Sequence, residues 1–509
     1  MQLLLLVALW ISVAAAFPTN CTDNYGRVAG PCGPGLEQCG PKFGASAPQF
    51  HLRSASCAVN DPNGPMWDPV HGVYHIFWQE RCAEPQGSQG VGPVWGHAAS
   101  FDFAKWTRLP NALWNDESYD ISAVYTGSAT IVHGKPVLIY PGICRACINK
   151  TSGATGTALV AAVPANASDP LYEQWQKHGV LVNNTQRDPS TAWDDGGGRW
   201  RLTTYTGETY TAADSDFWTW KRDDASAFVF PSGECPSLFR RPRLTPGTSI
   251  QSSTVLPSHV HKCSHAGDWM QLGSLVNEGR VRWRPSGDQK PVDQGAFYAS
   301  KDFECGRTGR RINWGWARGI SAGDALTMPR EVTYHPVLQQ LQFSVLDEQQ
   351  ALRGTMLASI VNRQLAAGET LDLVTADGEQ AEIDLSFGLP SSDTNLSLVV
   401  TLDGVAAAEV FIQYKSRPEV PPVPPRPPPP PQPPQALTHL ALLPCIPVAT
   451  SQHFWFGAER NGTSLVCSDG DDCDLTRVSS VESPGSCSKM CVQSFGPDGV
   501  HTGCVGWTY

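Results

Sequence analysis

Beyond its first sixteen residues, this 509-residue chain has no apolar run approaching the length of a membrane span. Stretches with a 3.6-residue hydrophobic period are also scarce, which argues against a helical bundle. No basic patch stands out: 37 Lys and Arg stand against 48 Asp and Glu, a net charge of −11, so nucleic acid is not an expected partner. Metal-binding patterns are wanting as well. Cys144 and Cys147 ("CRAC") have no second Cys or His pair nearby, and a disulfide in a loop is the better reading than a metal or redox pair. The acidic run "DGDDCD" (469–474) lacks the EF-hand loop pattern and reads as a solvated turn. No metal or organic cofactor is expected.

Residues 1–16, "MQLLLLVALWISVAAA", form an apolar run that ends in small residues. It lacks a basic start but otherwise reads as a secretory leader, too short for a membrane span. Six Asn-x-Ser/Thr sequons (Asn20, Asn149, Asn166, Asn183, Asn395 and Asn461) fit export, and they make the sixteen cysteines disulfide candidates. A secreted glycoprotein is therefore expected, with no membrane association once the leader is removed.

The rest divides by texture. Residues 17–48 are a Cys-containing N-terminal segment. From 49 to 336, short apolar or alternating runs such as "YHIFWQ" (74–79), "PVLIYPG" (136–142) and "AFYAS" (296–300) recur between turn signals, as in an all-β propeller or sandwich. From 337 to 416 the runs alternate more cleanly ("LQFSVLD", "AEIDLSFGL", "AEVFIQY"), suggesting a separate β-sandwich. Between Arg417 and Gln435, 12 of 19 residues are proline, which favours a stiff polyproline II spacer over residues 417–436. Residues 437–509 then hold six cysteines in a small polar segment, the mark of a disulfide-stapled module.

Three stretches place an acidic residue in a strand–turn setting. "NDPNG" (60–64) carries Asp61, "RDPSTAW" (187–193) carries Asp188, and "PSGECPSLF" (231–239) carries Glu234. Each alone reads equally as structure: a hairpin turn, an Arg–Asp ion pair, a strand edge. Together they suggest acids brought to one axial pocket by the inner strands of successive propeller blades.

With "WGHAASFDFAKW" (95–106), "TGSAT" (126–130), "SDPLYEQW" (168–175), "DQGAFYASKDF" (293–303), "RRINWGW" (310–316) and "LTMPREV" (326–332), these motifs carry a resemblance. From about Phe50 to Phe411 the chain resembles glycoside hydrolase family 32, the invertases and fructan hydrolases, particularly the plant acid members. The resemblance implies a five-bladed propeller followed by a β-sandwich. It also implies that Asp61 is the nucleophile, Glu234 the general acid/base and Asp188 the carboxylate that holds fructose hydroxyls. Asn60, Gln79, Trp95, Ser128 and Arg187 match positions that line the fructosyl pocket. Separately, "CSKMCVQSFGPDGVHTGCVGWTY" resembles part of a PAN/Apple module, a candidate for binding cell-wall glycan or protein.

The chemistry asks for the same arrangement. Cleaving a fructosyl bond passes through an oxocarbenium-like state, with one carboxylate attacking and a second, protonated, serving the leaving oxygen. Glu234 must hold a proton at its working pH, which a neighbouring anion favours. Arg187 is expected to keep Asp188 ionised. The expected activity is a secreted, retaining β-fructofuranosidase acting on sucrose and on fructans. Two alternatives stand beside it: a fructosyltransferase, and a catalytically weak homologue that binds glycan.

The chain departs from the family pattern in several places. Ala58-Val59 stand where Trp-Met is usual before "NDP", Gly233 where Trp usually precedes Glu-Cys, and Ser237 where Asp usually follows. These put substrate preference in doubt more than reaction class.

Overall fold

The computed structural model describes residues 48, 50–54, 58–81, 93–223, 230–250, 256–277, 281–293, 295–318, 324–373, 381–388, 392–402 and 405–414, together with strands Leu3–Ser12, Thr463–Ser468, Lys489–Phe495 and His501–Thr508. Its centre is a five-bladed β-propeller, each blade an antiparallel meander. Blade I comprises Ala58–Asp68, Val73–Arg81, Val94–Ser100 and Thr107–Leu113. Blade II comprises Ser128–Val132, Lys135–Ile143, Thr157–Pro164 and Trp175–Asn183, with Ala123–Val124 paired on its second strand. Blade III comprises Trp193–Asp194, Arg199–Thr203, Thr209–Ala213 and Asp216–Arg222. Blade IV comprises Glu234–Arg240, His259–Ser264, Asp268–Asn277 and Val281–Pro285. Blade V comprises Phe297–Glu304, Arg311–Ala317, Arg330–His335 and Gln340–Val345.

Meanders need only tight turns between strands. His133 and Gly134, at φ of 47° and 78°, close the first hairpin of blade II, since a two-residue turn that follows strand twist requires positive φ at both positions. Stacked blades then demand apolar side chains on both faces of each sheet, which explains the continuous apolar runs. Ile76 and Trp78 pack with Phe103, Ile312 and Trp314 of blades I and V, while Phe77 between them packs with Tyr140, Val160 and Trp175 of blade II. The two-residue period of a strand sends neighbours to opposite faces. Each such side chain contributes about 1.5–3 kcal/mol on burial.

Two boundaries differ from the expectation. "NDPNG" is not a turn ahead of a strand: Asn60 to Gly64 lie within Ala58–Asp68, flanked by register shifts between Val59 and Pro62 and between Asn63 and Met66. The turn follows it, with Gly72 N–H donating to Asp68 O at 2.9 Å. Residues suited to turns also suit bulges, because both need positive φ or a missing N–H; Gly64 sits at φ 43°. Second, Gln340–Val345 is the outer strand of blade V, paired with Arg330–His335, so the propeller continues past Val337. Alternation alone does not tell an outer blade strand from a sandwich strand.

Beyond the propeller, Leu3–Ser12 lies between Arg353–Leu365 and Ala381–Phe387 in one sheet. A second sheet holds Thr370–Leu373, Thr394–Leu402 and Val405–Tyr414, with the three strands from residues 463–508. The Pro-rich segment, the N-terminal Cys-containing segment apart from residue 48, and the rest of the Cys-rich segment lie outside the described residues. Asn149, Asn166 and Asn183 are exposed, whereas Asn395 is buried within its strand and is a poor acceptor in the folded chain.

Candidate active site

Bulges recur on the inner strands where the chemistry-bearing residues stand. Register shifts fall between Val59 and Pro62 in blade I, Glu234 and Ser237 in blade IV, and Tyr298 and Lys301 in blade V. An extra residue resets the alternation of a strand and re-aims its side chains. Left-handed backbone accompanies this: Asp188 has φ 60°, Cys235 φ 51° and Ala299 φ 54°. Such conformations persist in non-glycine residues only where the surroundings hold them, and they concentrate at functional sites.

The three expected acids converge. Cys235, next to Glu234, donates its backbone N–H to Asp188 Oδ2 at 3.1 Å, and its thiol lies 3.6 Å from Asp61 Oδ2. Arg187 Nη2 hydrogen-bonds Glu234 Oε1, and Tyr298 donates its hydroxyl to Glu234 Oε2 at 2.7 Å. Asp61 Oδ2 also accepts from Thr126 Oγ1 and, at 3.4 Å, from Gln79 Nε2. Acids from blade I, blade IV and the segment before blade III thus meet around one buried thiol.

The surroundings differ sharply from one acid to the next. The Glu234 side chain keeps 40% exposure, whereas Asp188 is buried. Burial pushes the Asp188 carboxyl up to about 7, with the Asp61 charge adding to it and Arg187, the Cys235 N–H and Lys301 opposing it. Arg187, expected to keep Asp188 ionised, does lower this carboxyl, but by less than burial raises it. Its Nε stands 3.7 Å from Asp188 Oδ2, its hydrogen bond goes to Glu234, and desolvation outweighs it. Burial also pushes the Cys235 thiol well up, so it stands as a neutral donor toward Asp61.

Of the residues expected to line the pocket, Asn60 is half-buried beside Asp61, and Gln79 is buried against Asp61 and Thr126. Arg187 is partly exposed, with its guanidinium 4.2 Å above the Tyr205 ring. Trp95 and Ser128 are instead enclosed, at 0% and 1% exposure. Trp95 packs on Phe77 and Tyr140 and donates Nε1–H to Tyr125 O, while Ser128 donates to Pro189 O at 2.8 Å. They shape the walls from behind. Thr126, Tyr298 and Lys301 were missed, although "TGSAT" and "AFYASK" had marked their stretches. Nothing in a linear motif says which hydroxyl reaches a carboxylate from another blade.

Cys144 and Cys147 are disulfide-bonded as expected, and Cys235, Cys263 and Cys305 are free thiols. Gly233 accounts for one departure from the family pattern: a Cβ there would stand 2.6 Å from Cys263 Sγ, so no side chain fits before Glu234 unless Cys263 moves. Among the described residues no group of three His, Cys, Asp or Glu could hold a metal ion.

A five-bladed propeller that brings three carboxylates from different blades together defines a scaffold suited to acid–base chemistry, and comparison with known proteins narrows it. Residues 51–342 match the model of the glycosyl hydrolases family 32 N-terminal domain. The chain belongs to that family. It is 29% identical over 402 residues to the beta-fructofuranosidase insoluble isoenzyme CWINV6 of Arabidopsis thaliana, covering 71% of this chain and 70% of that one. It is 31% identical over 386 residues to a fructan 6-exohydrolase of Beta vulgaris, covering 68% of this chain and 61% of that one. The crystal structure of fructan 1-exohydrolase IIa from Cichorium intybus superposes with a TM-score of 0.52 and 27% identity, over 70% of this chain and 68% of that one.

Proposed function

We propose that the protein is a secreted β-fructofuranosidase that hydrolyses sucrose and the terminal fructosyl bond of fructans with retention of configuration. Asp61 attacks the anomeric carbon and forms a fructosyl ester. Glu234 delivers a proton to the leaving oxygen, then takes one from the attacking water. Its partial exposure suits both exchanges, and Arg187 and Tyr298 fix its two oxygens. Thr126 and Gln79 orient Asp61, and Asp188, protonated or ionised across the range around pH 7, holds sugar hydroxyls. Asn60 adds a polar wall, and Trp95 and Ser128 support from behind.

The single observation that carries this is the convergence of Asp61, Asp188 and Glu234 through Cys235 and Arg187. A glycan-binding protein has no need of a nucleophile held in this way. Secretion is supported by three exposed sequons and by relatives named as insoluble isoenzymes. If residues 1–16 are removed as a leader, the sheet of Arg353–Leu365 and Ala381–Phe387 loses the strand Leu3–Ser12 that lies between them. The Cys-rich segment is proposed to hold the enzyme to wall glycan or protein.

The test is reducing-sugar release from sucrose and from inulin between pH 4 and 7, comparing the secreted protein with Asp61→Asn. Release that disappears in the variant supports the reading, and the ratio of the two substrates sets the preference. Transfer to a second sugar in place of release would assign a fructosyltransferase. Inactivity of the folded protein on both substrates refutes the hydrolase.

A further inference from the structure

We propose that Lys301 is a positioning residue of this site, a buried cation at the propeller axis that fixes the spacing between the Asp188 and Glu234 segments and favours their anionic partners. It extends the fructosidase reading above and rests on it for its kinetic test. Lys301 is 1% exposed on the inner strand of blade V. Its Nζ donates to Ser128 Oγ and to Pro236 O, both at 3.3 Å. Ser128 in turn donates a hydrogen bond from its hydroxyl to Pro189 O at 2.8 Å. Pro189 directly follows Asp188, and Pro236 follows Cys235, whose N–H holds Asp188. One ammonium thus ties the inner strands of blades II, IV and V to the segment that carries Asp188.

The bulge between Tyr298 and Lys301 makes this possible. Residues three apart on a regular strand face opposite sides. With the extra residue, Tyr298 reaches Glu234 while Lys301 reaches the strand beside it. That accounts for the "YASK" stretch, to which the motif reading gave no role.

A buried ammonium without anions would give up its proton. Burial does lower Lys301, with Lys262 adding to that, while the Asp188 and Asp61 carboxylates pull it back. Lys262 is itself paired with Asp302 at 2.9 Å and bonded to Ser300 O at 2.7 Å, so its charge is already met. Around Asp188 the charged groups are Arg187, Asp61 and Lys301, with the Cys235 N–H as a further donor. Lys301 is the enclosed cation among them, and Arg187 the partly exposed one.

The experiment compares wild type, Lys301→Met, Lys301→Gln and the buried-lysine control Lys262→Met. Their kcat and KM on sucrose are measured across pH, with melting temperatures in the same buffers. Loss of the Lys301 charge is expected to lower kcat at least about tenfold, with little change in KM. It should also move the acid limb of kcat/KM to higher pH by about half a unit or more, since the carboxylates lose a stabilising cation. Lys301→Gln keeps two N–H donors, so it should show the same limb shift with a smaller loss of kcat. Lys262→Met should leave the acid limb in place. An unmoved limb in both Lys301 variants, or failure of both to fold while Lys262→Met folds, would overturn the proposal in favour of packing alone. If wild type releases no fructose, the functional reading fails, and melting decides Lys301 separately. Removing its charge must then move the pH dependence of melting that arises from Asp188 upward, and curves parallel to wild type count against it.

Discussion

Asp188 offers a direct test of how burial sets the electrostatics of the site. Taking this carboxyl from its ordinary 3.8 to about 7 means that the folded state prefers its protonated form by about 4 kcal/mol, at about 1.4 kcal/mol per pH unit. The sign follows from that elevation. The stability contributed by the bound proton is fully present below about pH 4 and is lost as pH rises through about 7. Asp188→Asn removes the titration while keeping the shape. Melting of wild type and variant should therefore be compared from pH 4 to 8, and the difference read. Relative to the variant, wild type should lose up to about 8 °C over this range, at roughly 2 °C per kcal/mol for a large domain. Buried neutral histidines work the other way, since burial lowers His75 to about 4 and His261 to about 3. They are common to both proteins and cancel in the difference. A constant gap between the two curves would show that Asp188 titrates as it does in water, and the enclosed environment assigned to it would be wrong.

Other expectations concern the chemistry and the scaffold. Asp61→Asn should lower sucrose hydrolysis by about 10³-fold or more without unfolding the protein, as judged by circular dichroism. Glu234→Gln should depress hydrolysis of sucrose far more than that of an aryl fructoside, whose leaving group needs little protonation; equal losses on both would remove Glu234 from the acid role. Tyr298→Phe should cost about tenfold in kcat through one lost hydrogen bond to Glu234. Arg108→Met should destabilise blade I by about 3–5 kcal/mol in denaturant melts, because it strands the enclosed Glu80 carboxylate, which is also bonded to Ser54. A change below about 1 kcal/mol would mean that water reaches Glu80.

Much of the fold could be read directly. Runs such as "YHIFWQ" and "PVLIYPG" lie in strands Val73–Arg81 and Lys135–Ile143, because a strand enclosed between two blades needs apolar residues on both faces. The acidic motifs were legible for the same local reason, as each joins a carboxylate to residues that break regular pairing. Reading "NDPNG" as a turn failed because turn and bulge draw on one vocabulary, and only the strand partner distinguishes them. Placing the sandwich at Val337 failed because Gln340–Val345 differs from a sandwich strand only in what it packs against.

The sequence by itself determined the all-β texture, the set of three acids and the family to which the chain belongs, since these depend on residue type and order along the chain. Tertiary structure alone decided what surrounds each acid. Proximity across blades sets desolvation and charge pairing, so only the fold could place Arg187 on Glu234, Thr126 on Asp61 and Lys301 between Ser128 and Pro236. It also decided how deeply Asp188 is enclosed, so that burial raises its carboxyl while Arg187, 3.7 Å away and partly exposed, opposes that rise.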